Sequence, residues 1–415
     1  MAGNPTTRTA GLTLTLLRPA PAALASGLTR ARSRRLVLRR LSQLDPVLCT
    51  TTIALTGFGS VLVWAATRAR SGAGADTLIQ RHVGFALLGL VLGLVVATVD
   101  HRRLRMLAPA AYLASGAGLL LVLTPLGVTV NGSHSWIHLG GLSVQPLEFA
   151  KPAVVLGLAV LLAERRQGRG ELAADPRGRN SEVLLALAVT AVPVALVLYQ
   201  RDLGSVMVLL AAVAGMLVVA AVPLRWLVGL ATAAAVGAVV VVQAHLLSQY
   251  QLDRLAALAN PGMDPSGIGY NAAQARIAIA SGGLTGAGLF HGSQTVGQFV
   301  PEQRTDFIFT VAGEQFGLVG SAAVVLVFAV LLWRGCRVAR NAADLFGALV
   351  ATGVVCWLGF QAFENMGMAT GIMPVAGLPL PFVSYGGSAM VANLVAMGLL
   401  LNVDAQRRGR VGPPA

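Results

Sequence analysis

Long apolar stretches separated by short polar connections dominate this chain. A helix crossing the hydrocarbon of a bilayer needs roughly 20 predominantly apolar residues. Ten stretches approach that length, at about 46–66, 83–99, 106–127, 149–163, 182–199, 205–223, 226–246, 307–333, 343–363 and 386–403. The pattern predicts an all-α polytopic membrane protein with about ten transmembrane helices. It divides the chain into a basic tail (1–45), helices one to seven (46–246), a long outer loop (247–306), helices eight to ten (307–403) and a short tail (404–415). Loops as long as 247–306 are usually functional or disordered, and the apolar, glycine-rich stretches in this one predict order.

Composition agrees with lipid as the solvent: of 415 residues, 55% are hydrophobic and 12% charged. The net charge of +14, from 31 basic and 17 acidic residues, raises nucleic acid or anionic lipid as partners. Where the charges fall decides between them. With the N-terminus cytoplasmic, the inner segments collect the eight arginines of the tail, Arg102, Arg103 and Arg105, and Arg165, Arg166, Arg169, Arg177 and Arg179. They also collect Arg225, then Arg334, Arg337 and Arg340, then Arg407, Arg408 and Arg410. The outer side keeps only Arg68, Arg70, Arg81, Lys151, Arg201, Arg254, Arg276 and Arg304. That asymmetry places both termini in the cytoplasm and explains the charge without nucleic acid. The tail reads as cytoplasmic rather than as a transit peptide, since no signal-type apolar core and cleavage site follow in order. Cys49, Cys336 and Cys356 are odd in number and lie in or beside apolar runs, which predicts neither a disulfide framework nor a metal cluster. Gly89 and Gly93 predict close helix packing.

Four polar segments, distant in sequence, are predicted on the outer face. The first, NGSHSWIHLGGLSVQPLEFAK (131–151), ends with Glu148 and Lys151, the only lysine, at the mouth of the fourth span. An ionisable pair there is either an i,i+3 brace or a working site. The second, QRDLGS (200–205), carries Arg201 and Asp202; Asp202 could simply cap the sixth helix, and Arg201 could snorkel at the interface. The third is the long loop. There Asn271 to Ile279 predict a short amphipathic helix followed by a glycine-rich turn, and Glu302, Arg304 and Asp306 gather at the start of the eighth span. Thr305 and Asp306 also fit a helix N-cap, and Glu314 is a carboxylate about two turns deeper, either functional or a hydrogen-bonded packing residue. The fourth, MPVAGLPLPFVSYGGSA (373–389), predicts a re-entrant turn in which Ser384, Tyr385, Gly386 and Gly387 bring backbone N–H groups to a helix start; a ligand-free helix-breaking loop is the alternative.

These segments resemble the RodA/FtsW/SpoVE family of shape, elongation, division and sporulation proteins. The resemblance runs from about Arg40 to Val403. It rests on NGSHSWI with QPLEFAK, RDLGS, GYN with SGGLTGAG, PEQRTDFIF and PLPFVSYGGSA, five ordered matches. Leu147 stands where the family has serine, Arg201 where it has proline, and Gln303-Arg304 where the second position is often histidine; His134 and Ser135 replace a segment that is commonly basic. The GLPLPFVSYGG form is nearer the elongation branch.

The resemblance implies a peptidoglycan glycosyltransferase that polymerises lipid II into glycan strands on the outer face. Asp306 matches the family's catalytic aspartate and would be the general base that takes a proton from the acceptor hydroxyl. Single displacement would invert the donor carbon and release undecaprenyl pyrophosphate. The pyrophosphate needs cations and N–H donors; Lys151 comes first, then Arg201, Arg304 and the Ser384, Gly386, Gly387 turn. Gln145, Glu148, Asp202 and Glu302 complete the expected substrate-binding set. A divalent cation, magnesium or manganese, between Asp202 or Glu302 and the phosphates fits the chemistry, but no spacing specifies it. The family also implies a partner, a class B penicillin-binding transpeptidase. Competing readings are a lipid II flippase or transporter, a membrane scaffold for cell-wall enzymes, and the division-specific polymerase of the same family.

Overall fold

The computed structural model describes residues 43–68, 74–130, 132–167, 176–243, 252 and 268–410. Nearly all of the basic tail lies outside these residues, as do Arg70, Asn131, Arg169, most of 247–267 with Arg254, and residues 411–415; for Arg177, Arg179 and Arg410 only the backbone is described.

Helices carry nearly every described residue that belongs to an element. In chain order they are α1 (Pro46–Arg68), α2 (Gly74–Thr98), α3 (His101–Val122), α4 (Pro146–Gln167), α5 (Pro176–Tyr199), α6 (Leu203–Val219), α7 (Leu224–Gln243), α8 (Ile268–Ser281), α9 (Ser293–Val296), α10 (Ile308–Arg340), α11 (Leu345–Thr370) and α12 (Gly387–Arg410). Eight of them, α1 to α5 and α10 to α12, are long and apolar enough to cross a bilayer. Helix α6 and the stretch Leu224–Gly237 of α7 are apolar but shorter. The chain is therefore a mostly helical, multi-pass membrane protein.

Acidic side chains start several helices by satisfying N–H groups that have no partner within the helix. Asp45 accepts from Val47 and Leu48 at 2.9 and 3.1 Å, Asp100 from Arg102 at 2.9 Å, and Asp344 from Gly347 at 2.8 Å. Gly371 ends α11 in the left-handed region that glycine adopts freely.

Small residues let the helices close on one another. A Cβ on Gly93 would come within 2.4 Å of the Leu394 carbonyl, and one on Gly398 within 2.2 Å of the Gly93 carbonyl, so α2 and α12 touch backbone to backbone as the Gly89/Gly93 spacing predicts. Helix α11 is the centre of the bundle. Gly353 lies against Val155 of α4 and Met216 of α6, and Gly215 of α6 lies against Cys356.

One expectation needs correction. The chain is not all-α, and the third helix ends at Val122 rather than near 127. Residues 127–144 form a three-stranded antiparallel sheet of β1 (Gly127–Val130), β2 (Ser133–Leu139) and β3 (Leu142–Val144), in the order β1-β2-β3. Ile137 faces both Gly127 and Val144 in the register, and the β2–β3 turn falls on Gly140 and Gly141, both with positive φ. β-Branched and aromatic residues, Val128, Thr129 and Val130 in β1 and Trp136 and Ile137 in β2, favour these strands. It is tied to the α5–α6 turn, where His134 N–H and the Ser133 hydroxyl both donate to the Gln200 carbonyl at 3.1 Å.

Helix α10 is broken at Gly317 (φ 64°, ψ −159°), a conformation essentially restricted to glycine. The turn after α8 supplies what the break removes: Leu318 and Val319 N–H donate to Gly283 and Leu284 carbonyls, while Ala287 and Gly288 N–H donate to Glu314 and Gln315 carbonyls. The predicted helix over Asn271 to Ile279 with its glycine-rich turn is thus α8 and this seam. Ala272, Ala275 and Ala278 form its buried stripe.

Candidate active site at one end of the bundle

The N-terminal ends of α4, α6, α10 and α12 meet the C-terminal half of α11, and the polar segments singled out in the sequence converge there. The centre is a row of buried polar residues on α11. Gln361 Oε1 accepts from Lys151 Nζ at 3.1 Å and from Trp357 Nε1 at 2.8 Å, while its Nε2 donates to the Pro379 carbonyl at 2.7 Å. One helical turn on, Asn365 Nδ2 donates to the backbone carbonyls of Asp306 and Leu378 at 2.6 and 2.7 Å. One face of α11 therefore holds Lys151 at one level and the Asp306 backbone at the next.

Lys151 is 1% exposed. Its ammonium lies 2.7 Å from Glu148 Oε1 and 5.3 Å from the centre of the Trp357 ring. The i,i+3 brace anticipated from the sequence is present, and it is fully interior. A charge costs several kcal/mol to bury unpaired, so Glu148, Gln361 and the ring explain how a lysine survives there.

The turn that carries Asp306 spans residues 301–307. Glu302 has φ 52°, and its carbonyl accepts from the N–H groups of Thr305, Asp306 and Phe307 at 3.1, 3.1 and 3.3 Å. Three consecutive carbonyls of the turn are pinned from outside: Arg304 by Tyr385 N–H at 2.9 Å, Thr305 by the Ser384 hydroxyl, and Asp306 by Asn365. Asp306 itself is half-buried. Helix α10 begins two residues after it. The cap position is Phe307, which makes no side-chain cap bond, while the Thr305 hydroxyl donates back to Glu302.

Asp202 does cap α6, accepting from Ser205 N–H and hydroxyl at 3.0 Å each. Gln145 Nε2 stands 3.5 Å from its other face, and Gln145 N–H donates to Ser388 Oγ at 3.0 Å, joining α4, α6 and α12. Arg201 is exposed, with φ 61°. Arg304 is half-buried over Tyr385, 5.9 Å from the ring centre, and His82 stacks on the same ring at 6.0 Å. Glu302 is exposed, its Oε2 accepting from Thr305 at 3.1 Å.

The Ser384 hydroxyl is committed to backbone, since it also accepts from Leu380 N–H at 2.8 Å. Gly387 opens α12 where a Cβ would strike the Phe85 ring, and the Gly386 carbonyl accepts from Met390 N–H at 2.8 Å. Among the described residues no three His, Cys, Asp or Glu side chains gather as a metal-ion set.

Trp357, Gln361, Glu364 and Asn365 were not anticipated from the sequence. All four are at most 1% exposed. The signal was the run Gln361-Ala-Phe-Glu364-Asn365 inside an apolar span, where polar groups are rare and kept for a reason.

The opposite end of the bundle is ionic. Arg334 of α10 and Arg408 of α12 both reach Asp45, with Arg408 Nη2 2.7 Å from its Oδ2. Burial pushes the Asp45 carboxyl up, but hydrogen bonds from Arg334 and Leu48 N–H and the two guanidinium charges outweigh it and hold the group below the usual carboxylate range. His101 Nε2 lies 3.4 Å from Asp344 Oδ2. This pairing with His101 is the main cause that lowers the Asp344 carboxyl to about 2, opposed by burial and aided by Gly347 N–H and the charges of His101 and Arg105.

A helical membrane bundle with a polar turn clamped at one end is the class these features define. Residues 46–409 match the FtsW/RodA/SpoVE family, described as cell cycle protein. The chain is 36% identical over 370 residues to a probable peptidoglycan glycosyltransferase FtsW of Trichlorobacter lovleyi, covering 88% of this chain and 94% of that one. It is 34% identical over 366 residues to the peptidoglycan glycosyltransferase MrdB of Escherichia coli, with the same coverage of 88% and 94%. Its fold matches a chain from a solved structure described as structural coordination of polymerization and crosslinking by a peptidoglycan synthase complex, with TM-score 0.73, 33% identity and coverage of 88% and 98%. The chain belongs to the FtsW/RodA/SpoVE family.

Proposed function

We propose that this chain is a peptidoglycan glycosyltransferase that joins lipid II units into glycan strands, with Asp306 as general base. The observation that carries this reading is the clamp on the Asp306 turn, whose three successive carbonyls are held by Tyr385, Ser384 and Asn365. A rigid backbone fixes where a half-buried carboxylate can point, and positioning is a large part of acid–base catalysis.

In the proposed reaction Asp306 takes the proton of an acceptor sugar hydroxyl as that oxygen attacks the anomeric carbon of the donor. The bond from that carbon to the lipid pyrophosphate breaks, and single displacement inverts the carbon. Arg304, half-buried over Tyr385, and Arg201, exposed beside Asp202, receive the leaving pyrophosphate. Lys151 acts from below: two of its N–H groups go to Glu148 and Gln361, so at most one is left for a phosphate oxygen. A divalent cation, magnesium or manganese, bound with the pyrophosphate would offset its charge.

The same reading takes α6 and α7 as spans, giving ten, with both termini cytoplasmic and the site extracytoplasmic. The placement of the arginine-rich cluster around Asp45 at the opposite end supports it. The partner is a class B penicillin-binding transpeptidase, and the elongation branch is the nearer one.

Purified protein given lipid II, alone and with such a partner, should make long glycan, and Asp306→Ala should make none. Movement of labelled lipid II between leaflets without polymer would support the flippase reading instead, for which the broken α10 is the favouring feature.

A further inference from the structure

We propose that Glu314 is a positioning residue for Asp306, acting through Thr295 and Gln303; the inference rests on the reading of Asp306 as base. Glu314 sits two turns into α10 and is 1% exposed. Its Oε1 accepts from Gln294 N–H at 2.7 Å, and its Oε2 accepts from Thr295 N–H at 2.8 Å and from the Thr295 hydroxyl. All three partners are donors, so the acceptor-only carboxylate is the form that fits. Hydrogen bonds to a charged acceptor are roughly twice as strong as neutral ones. Gly292 leaves room for the group, since a Cβ there would lie 2.5 Å from Glu314 Cδ.

The short helix α9 is therefore hung from Glu314, and it holds the catalytic turn in its own right. The Thr295 carbonyl accepts from Gln303 Nε2 at 3.1 Å. Gln303 is buried, stands between Glu302 and Arg304, and also reaches the Ala66 carbonyl of α1 at 3.5 Å. Ala287 and Gly288 N–H bind the Glu314 and Gln315 carbonyls, and Phe290 N–H stands 3.3 Å from Gln315 Oε1, so the excursion from 287 to 307 is fastened to α10 near Glu314. The turn is held on one side by Asn365, Ser384 and Tyr385, and on the other by the path from Glu314 through Thr295 to Gln303. Loss of the second support lets the turn move relative to the substrate without removing any group that touches substrate.

The test uses the full chain and lipid II, comparing Glu314→Gln, Thr295→Val, Thr295→Ser and Asp306→Ala. Glu314→Gln sets an amide NH2 against the α9 donors. It should lower kcat on the order of ten- to a hundredfold, the scale of small misplacements, with KM for lipid II within about twofold of wild type. Its melting midpoint should fall, because buried donors lose their acceptor, but the chain should remain folded at the assay temperature. Thr295→Val should show a smaller loss of kcat, and Thr295→Ser, which keeps the hydroxyl, should restore it. Wild-type kcat in Glu314→Gln overturns the inference, as does a loss that only tracks the folded fraction. If Glu314→Gln does not fold, the Thr295 pair decides, and equal kcat for Val and Ser overturns it. An active Asp306→Ala sinks the base reading itself; an inactive Asp306→Ala beside a fully active Glu314→Gln sinks only the role of Glu314.

Discussion

Replacing Lys151 with methionine separates a brace from a working cation. The ammonium and its partner carboxylate are 2.7 Å apart, with side chains 1% and 2% exposed. Methionine fills much the same volume but strands the Glu148 carboxyl in the interior without its cation, where its Oε2 has no hydrogen-bond partner among the described residues. Breaking a buried pair from one side costs about 3–5 kcal/mol, mostly from the stranded charge. Adding Glu148→Gln removes that charge, and the remaining cost falls to about 1–3 kcal/mol, from polar groups left unpaired. In detergent, Lys151→Met should melt several degrees below wild type, and the double variant should recover most of the difference. Polymerisation of lipid II should be weak in both, because neither keeps a cation beneath the pyrophosphate. If the double variant regains both melting midpoint and polymerisation, Lys151 is only a brace and its catalytic role is refuted.

Asn365→Ala should strand the carbonyls of Asp306 and Leu378 at about 1–3 kcal/mol each, with polymerisation falling more than the melting midpoint accounts for. Gly317→Ala should destabilise the protein, because φ 64° with ψ −159° costs a side chain about 1–3 kcal/mol and its Cβ would meet Gly286 N at 2.4 Å; limited proteolysis between α8 and α10 should then accelerate. At the ionic end, a carboxyl lowered to about 2 contributes stability that is present above its unfolded value near 3.8 and is lost as pH falls through about 2. His101→Asn should shrink that contribution, so its melting midpoint should lie below that of wild type above pH 4 and should fall less than that of wild type as pH drops from 4 to 2.

The membrane character, most of the long helices and the polar segments that meet at one end of the bundle were legible because lipid imposes long apolar runs and leaves few polar residues to interpret. Spacing offered Asp202 as a cap and Glu148–Lys151 as a brace, each beside a functional alternative, and both contacts are present. The sheet over 127–144 was not read, because its strands of four, seven and three residues were overshadowed by the apolar helix before them. The break at Gly317 was not legible, since nothing in the sequence sets it apart from the other three glycines of the 33-residue helix; its tertiary partners, Gly283 and Leu284, show why it falls there. Gln361 and Asn365 were visible as polar residues in a span, yet their partners lie up to 210 positions away. The Ser384 hydroxyl also fixes the turn that bears Asp306, a contact between residues 79 positions apart that no spacing reveals.

Asp306→Asn keeps the size of the side chain and the backbone carbonyl that Asn365 holds, and removes only the basic oxygen. Measured as single-turnover glycan formation from lipid II, with binding of a labelled lipid II followed in parallel, it should lose about 10²- to 10⁴-fold in rate while binding is retained. A variant that forms glycan at the wild-type rate would show that some other group takes the proton.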